Sequence, residues 1–119
     1  MSEDITLTID RDVRENGIVV LGLAGELIIT NREELRRQAE SEIADGARSL
    51  VVTLHRLSHI DTSGLAMLVH LASRCGEAGG RLAVAGLRED FGEMRQHLHL
   101  DEALLFSENV EDAVAVVSR

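Results

Sequence analysis

Apolar Ile5, Leu7 and Ile9 alternate with polar Thr6, Thr8 and Asp10, the two-residue period of a strand with one face buried. Beyond Arg11 to Glu15, Asn16-Gly17 is a turn pair that tolerates positive φ. The apolar run from Ile18 to Gly25 follows, so the pattern predicts a β-hairpin. Leu35, Ala39, Ile43 and Ala47 then recur every four residues as a narrow helical stripe. Thr30 or Asn31 stands where a short side-chain oxygen would cap that helix, Glu33 and Glu34 suit its positive end, and Gly46 supplies a stop.

Ser49 to Leu54 is short, β-branched and nearly all apolar, which fits a central strand covered on both faces. His55 to His59 reads as a polar connection. Leu65, Leu68, Val69, Ala72 and Cys75 have the spacing of one helix face, and Gly76, Gly79 and Gly80 are expected to end that helix. Arg81 to Gly86 reads as the next buried strand, completing a strand–helix–strand unit. Phe91, Met94 and Leu98 predict a further helix, Leu105-Phe106 a short strand, and Val110, Ala113, Val114 and Val117 a last helical stripe. The fold class that follows is α/β: a single domain with a mixed β-sheet and about four α-helices.

Composition narrows the partners. The 119 residues suffice for one core, and 45% of them are apolar, so the chain is expected to fold as one domain without disulfides or metals. Two Phe with no Trp or Tyr leave little aromatic surface for stacking on bases. A net charge of −9 would repel nucleic-acid backbones and anionic lipid surfaces. The expected partner is therefore another protein, with no direct contact to nucleic acid and no membrane insertion. No apolar run approaches the roughly 18 to 20 residues that cross a bilayer. Cys75 is the only cysteine and no leader of signal-peptide form precedes Ile5, so the expected compartment is the cytoplasm.

The distinctive chemistry lies at the strand-to-helix junction Asp61-Thr62-Ser63-Gly64-Leu65. A hydroxyl where a helix begins is near unpaired backbone N–H groups and the positive end of the dipole, which favour an anion. A phosphate on Ser63 would add roughly −1.5 to −2 charges two residues from Asp61. A partner packed on this surface would have to desolvate that phosphate beside a carboxylate, so binding would be switched off. Gly64 leaves the Ser63 hydroxyl open to another protein's active site. The same residues also spell a plain helix cap, because Asp, Thr and Ser all favour helix starts.

Asp61-Thr62-Ser63-Gly64-Leu65 resembles the Asp-Ser-Ser-Gly-Leu signature of the STAS domain family, whose small free-standing members are anti-sigma factor antagonists. Leu23 to Leu27 resembles that family's Gly-Glu-Leu segment, Gly79 to Leu82 its glycine-to-strand junction, and Ser107 to Ala113 the approach to its last helix. The likeness runs from about residue 17 to the C-terminus of the single domain, residues 1–119.

The resemblance implies a bacterial partner-switching cycle. An unphosphorylated antagonist binds an anti-sigma factor that is also a serine kinase, freeing the sigma factor for transcription. Phosphorylation ends the binding, and a partner phosphatase of the PP2C type resets it. By position the phosphoacceptor is Ser63, with Thr62 a second candidate, while Asp61, Thr62 and Gly64 belong to the partner-binding surface. The ATP and metal chemistry lie in the kinase, so the resemblance implies a protein substrate that is not an enzyme and carries no cofactor. Ile28 and Thr53 stand where the family often has acidic residues near the switch serine.

Rival readings are an esterase-type serine hydrolase and a STAS scaffold subunit of a lipid transporter or stress-signalling assembly. The hydrolase lacks a Gly-x-Ser-x-Gly elbow. His97-Leu98-His99 has too few donors for a metal site, and Cys75 on the apolar stripe reads as core. His55 and His59 flank the approach to Ser63 and need no role beyond a polar segment. The glycines at 76, 79 and 80 match neither dinucleotide nor P-loop spacing.

Overall fold

Asn16 and Gly17 adopt φ of 63° and 73° and turn the first two strands onto each other. Positive φ at both central residues matches the twist of paired strands, which is why Asn-Gly works there. The computed structural model describes residues 6–119, so Ile5 of the expected first strand lies outside the described residues. The hairpin joins β1 (Leu7–Val13) to β2 (Ile18–Leu27), antiparallel from Leu7 opposite Gly25 to Val13 opposite Val19.

The remaining elements are α1 (Arg32–Ala44), β3 (Ser49–Ile60), α2 (Thr62–Glu77), β4 (Leu82–Ala85), α3 (Gly92–His97), β5 (Leu105–Ser107) and α4 (Val110–Val117), with 3₁₀ turns at Glu89–Phe91 and Leu100–Glu102. The five strands lie in chain order, β1-β2-β3-β4-β5, and every pair after the hairpin is parallel. This is the mixed sheet with four α-helices that the hydrophobic pattern predicts.

Because side chains alternate across a strand, β2 and β3 feed two cores. Val19, Leu21, Leu23, Leu50, Val52 and Leu54 face Leu35 and Ala39 of α1 and Leu65, Leu68, Leu71 and Cys75 of α2. Ile18, Val20 and Val51 point the other way, with Ala83 and Ala85, onto Ala113 and Val117 of α4. Leu68 and Leu71 have no exposed surface. Each such burial stabilises the fold by about 2 kcal/mol.

Several expectations are corrected. His55 to His59 is not a connection: β3 runs through it to Ile60. Leu54, Leu57 and Ile60 are buried while His55, Arg56, Ser58 and His59 are exposed, a three-residue spacing that hides the strand from a two-residue reading. Register shifts in the β2–β3 pairing, at Gly22/Ala24 and Gly25/Glu26, produce that spacing.

Asn31 precedes α1 but its side chain makes no cap bond. Instead its Oδ1 accepts from the Ile28 N–H at 2.9 Å and its Nδ2 donates to the Glu26 carbonyl at 2.9 Å, stitching the β2–α1 loop shut. Gly76 lies inside α2, and the helix is closed by Gly79 at φ 86° with the Gly80 N–H donating to the Cys75 carbonyl at 2.8 Å. Leu98 is 45% exposed beyond the end of α3, so it is not part of the expected stripe, whereas Phe91 and Met94 pack on the core.

Glu42 gave no sign of burial in the sequence, yet it is 4% exposed. Arg11 on β1 donates to both its carboxylate oxygens, at 2.6 and 2.8 Å, and Gln38 donates at 2.7 Å. The Arg11 bridge is first among the causes that hold the Glu42 carboxyl below the usual carboxylate range.

Candidate functional site

β3 ends at Ile60 and α2 starts at Thr62, so Asp61 alone makes the junction. It is extended, at φ −100° and ψ 178°, and its Oδ1 accepts the Gly64 N–H at 2.8 Å as a helix cap. Its Oδ2 accepts the Ile29 N–H at 3.0 Å. The Asp61 N–H in turn donates to the Leu27 carbonyl at 3.2 Å. One residue therefore caps α2 and ties the β2–α1 loop to it, and the capping reading of the motif holds for Asp61.

Ser63 is the second residue of α2 and half-buried, between exposed Thr62 and buried Gly64. Its backbone carbonyl accepts from Nη1 of Arg32, the first residue of α1, at 3.3 Å. Ile29, 58% exposed, and exposed Thr30 border the same junction from the β2–α1 loop. Thr62, Ser63, Ile29 and Arg32 thus come together from segments some thirty residues apart in the chain, by way of the Asp61 and Arg32 bonds.

Gly64 enters this site from within. A Cβ there would lie 2.7 Å from the Leu27 carbonyl oxygen and 2.9 Å from Ile60 Cγ1. The residue lets the first turn of α2 sit directly on the ends of β2 and β3, which is a packing reason for glycine distinct from access to the Ser63 hydroxyl.

The two positions where the family's acidic residues are expected divide. Ile28 is in the β2–α1 loop, its N–H held by Asn31. Thr53 is in mid-sheet, opposite Gly22 and Ala85, seven residues before Ile60. At about 3.3 Å per residue that is on the order of 20 Å from the junction. The parity of β3 turns Thr53 with Val51 toward α4, away from α2. The expectation that residue 53 lies beside the switch serine is corrected accordingly.

Hydrolytic chemistry finds little here. The His55 ring bonds to the Glu108 carbonyl at 3.1 Å and that of His97 to the Glu93 carbonyl at 3.2 Å. His59 is exposed, opposite Glu26 at the end of β3. A cleft of about 790 Å³ lies between His55, Arg88, Arg95, Phe106 and Asp112, and Ser63 does not line it. No group of three or more potential metal ligands occurs among the described residues, and no described helix is long and apolar enough to cross a membrane. Cys75 has no exposed surface, and burial pushes its thiol up to about 11, away from the reactive thiolate.

Residues 11–113 match the model of the STAS domain family, from β1 into α4. The chain belongs to the STAS domain family. Among solved STAS-like structures it is similar to an anti-sigma factor antagonist from Mycobacterium paratuberculosis, with a TM-score of 0.84 at 18% identity over all of both chains. It is also similar to the anti-sigma factor antagonist SpoIIAA in its unphosphorylated form, with a TM-score of 0.71 at 20% identity, covering 91% of this chain and 94% of that one. The phosphorylated form of SpoIIAA, a Bacillus cell fate determinant, gives a TM-score of 0.69 at 21% identity, covering 91% and 97%. At these identities the likeness establishes a shared STAS fold.

Sequence reasoning placed Asp61, Thr62, Ser63 and Gly64 together but missed Ile29 and Arg32, and it read Asn31 as a helix cap where its side chain closes the β2–α1 loop. For Arg32 there was a signal. A cation in the first turn of a helix opposes the macrodipole, and such a misfit calls for a compensating contact.

Proposed function

We propose that this STAS domain is an anti-sigma factor antagonist whose binding is gated by phosphorylation of Ser63. In its unmodified form it docks on an anti-sigma factor that is also a serine kinase, and so frees the sigma factor. The kinase moves the γ-phosphoryl group of ATP to Ser63 Oγ, releasing ADP and the hydroxyl proton, and the antagonist dissociates. A phosphatase of the PP2C type hydrolyses the phosphoserine and restores binding. The chain acts in the cytoplasm, as a protein substrate and binding module with no catalytic residue or cofactor of its own.

The observation that carries this reading is the place of Ser63: half-exposed on the first turn of α2, at a junction bordered by exposed Thr62 and Ile29. Apolar Ile29 suits a protein partner, and a dianionic group beside it would have to be desolvated for the partner to stay. That the similar protein SpoIIAA occurs in phosphorylated and unphosphorylated forms supports the same cycle here.

The test is the mass of the protein isolated from its own cells, with fragment mapping, alongside pull-downs with wild type, Ser63→Ala and Ser63→Asp. The expected result is one phosphate on Ser63 and a kinase-like partner retained by the Ala form and lost by the Asp form. Phosphate on Thr62 instead, or no phosphate under any growth condition with identical partners for all three forms, overturns Ser63 gating. The latter outcome favours a scaffold subunit of a transporter or stress-signalling assembly.

A further inference from the structure

Seven of the chain's twelve arginines form carboxylate ion pairs: Arg11, Arg14, Arg36, Arg56, Arg74, Arg88 and Arg95. In a protein of net charge −9 that is the expected state of a guanidinium. Arg32 is one of the five that form no carboxylate ion pair among the described residues. It also occupies the first position of α1, where the helix dipole disfavours a cation. Its contact is instead a carbonyl on another helix, that of Ser63.

The other charged groups near the junction are otherwise engaged or point to the same conclusion. Both Asp61 oxygens accept backbone N–H groups, Glu33 is paired with Arg36, and Glu26 and His59 oppose each other at the ends of β2 and β3. Arg32 is therefore a cation in direct contact with Ser63 that forms no carboxylate ion pair among the described residues, and it reaches the very residue whose hydroxyl the proposed cycle modifies.

We propose that Arg32 is the receptor for the phosphate on Ser63. On modification its guanidinium turns from the Ser63 carbonyl to the phosphoryl oxygens, forming the charge-assisted pair that guanidinium and phosphate geometry favour. The phosphoserine is then held within the molecule against α1, and the repulsion from Asp61 is offset. The partner loses the Ser63 hydroxyl and the Arg32 donor in one step, and a phosphatase must draw the phosphate out of an ion pair before cleaving it. This inference rests on the Ser63 gating proposed above and names the residue that stabilises its off state.

The experiment uses full-length protein with phosphoserine installed at position 63 during synthesis, so that no kinase is needed. The second ionisation of that phosphoserine is followed by ³¹P NMR titration in wild type, Arg32→Gln and Arg32→Lys, with thermal unfolding of the unmodified Arg32 variants to establish that they fold. An opposite charge at close range favours the dianion. The expected result is a phosphoserine pKa higher by about half a unit or more in Arg32→Gln, recovered in part by Arg32→Lys, with the wild-type value rising toward that of Arg32→Gln in high salt. Equal titrations for wild type and Arg32→Gln overturn the proposal. That failure would leave Ser63 gating standing, whereas absence of phosphate in native cells would remove the gating while the titration still reported on Arg32.

Discussion

Asp61 accepts the backbone N–H of Ile29 at 3.0 Å, across 32 residues of sequence, with one carboxylate oxygen while the other caps α2 at Gly64. The surface around Ser63 depends on that double use, since it fixes the loop carrying Ile29 and Arg32 relative to the first turn of α2. Replacing Asp61 with Ala removes the cap and the tie together. The expected loss is about 1–2 kcal/mol, because a lost cap and an unpartnered loop N–H each fall in this range but the loop can turn to water. Urea unfolding measures it. Asp61→Asn keeps one acceptor oxygen and should lose less; equal losses for Ala and Asn would mean that only the charge matters.

Gly64→Ala separates packing from propensity. In an ordinary helix position the change would stabilise by up to about 1 kcal/mol. Here the new Cβ meets the Leu27 carbonyl oxygen at 2.7 Å, a backbone atom that can yield only if β2 shifts. The expected outcome is destabilisation by about 1–3 kcal/mol, read from denaturant midpoints, as for other overpacked positions. A neutral or stabilised variant would show that α2 can move off the sheet ends freely.

The Arg11–Glu42 bridge predicts an acid limb of stability. The Glu42 carboxyl titrates below its ordinary value in the folded protein, chiefly through the Arg11 hydrogen bonds. Its contribution is thus fully present above the unfolded-state carboxyl pKa and is lost as pH falls through the lower folded-state pKa. Arg11→Met should lower stability at neutral pH, by a modest amount because Arg11 is half-exposed. The variant's stability should also fall less steeply than wild type below the ordinary carboxyl range. Urea midpoints from pH 3 to 7 for the two proteins provide the check, and parallel curves would assign no linkage to this pair.

Helix and strand identities were legible wherever burial followed a simple period. Leu65 to Cys75 repeats at helical spacing because one face of α2 meets the sheet, and Ser49 to Leu54 is nearly all apolar because α1 and α2 cover one face of β3 and α4 the other. The STAS signature was legible for the same reason: five adjacent residues carry the whole strand-to-helix junction. The second half of β3 was not, since shifts in its pairing with β2 replace the two-residue period by three. No feature of β3 by itself encodes a shift that depends on its partner.

The sequence by itself determined the α/β class, the Asn16-Gly17 hairpin, the presence of a helix cap within Asp61-Thr62-Ser63 and the place of Ser63 at the start of a helix. Each depends on residues within a few positions of one another, where backbone geometry and helix periodicity act directly. Only the tertiary structure decided that Thr53 faces away from the switch, that Glu42 is buried against Arg11, that Gly64 is a spacer against Leu27 and Ile60, and that Arg32 reaches Ser63. Those contacts join segments that meet only after β2 and β3 pair and α1 and α2 dock on the same face, so their chemistry is set by register and packing and leaves no local pattern in the chain.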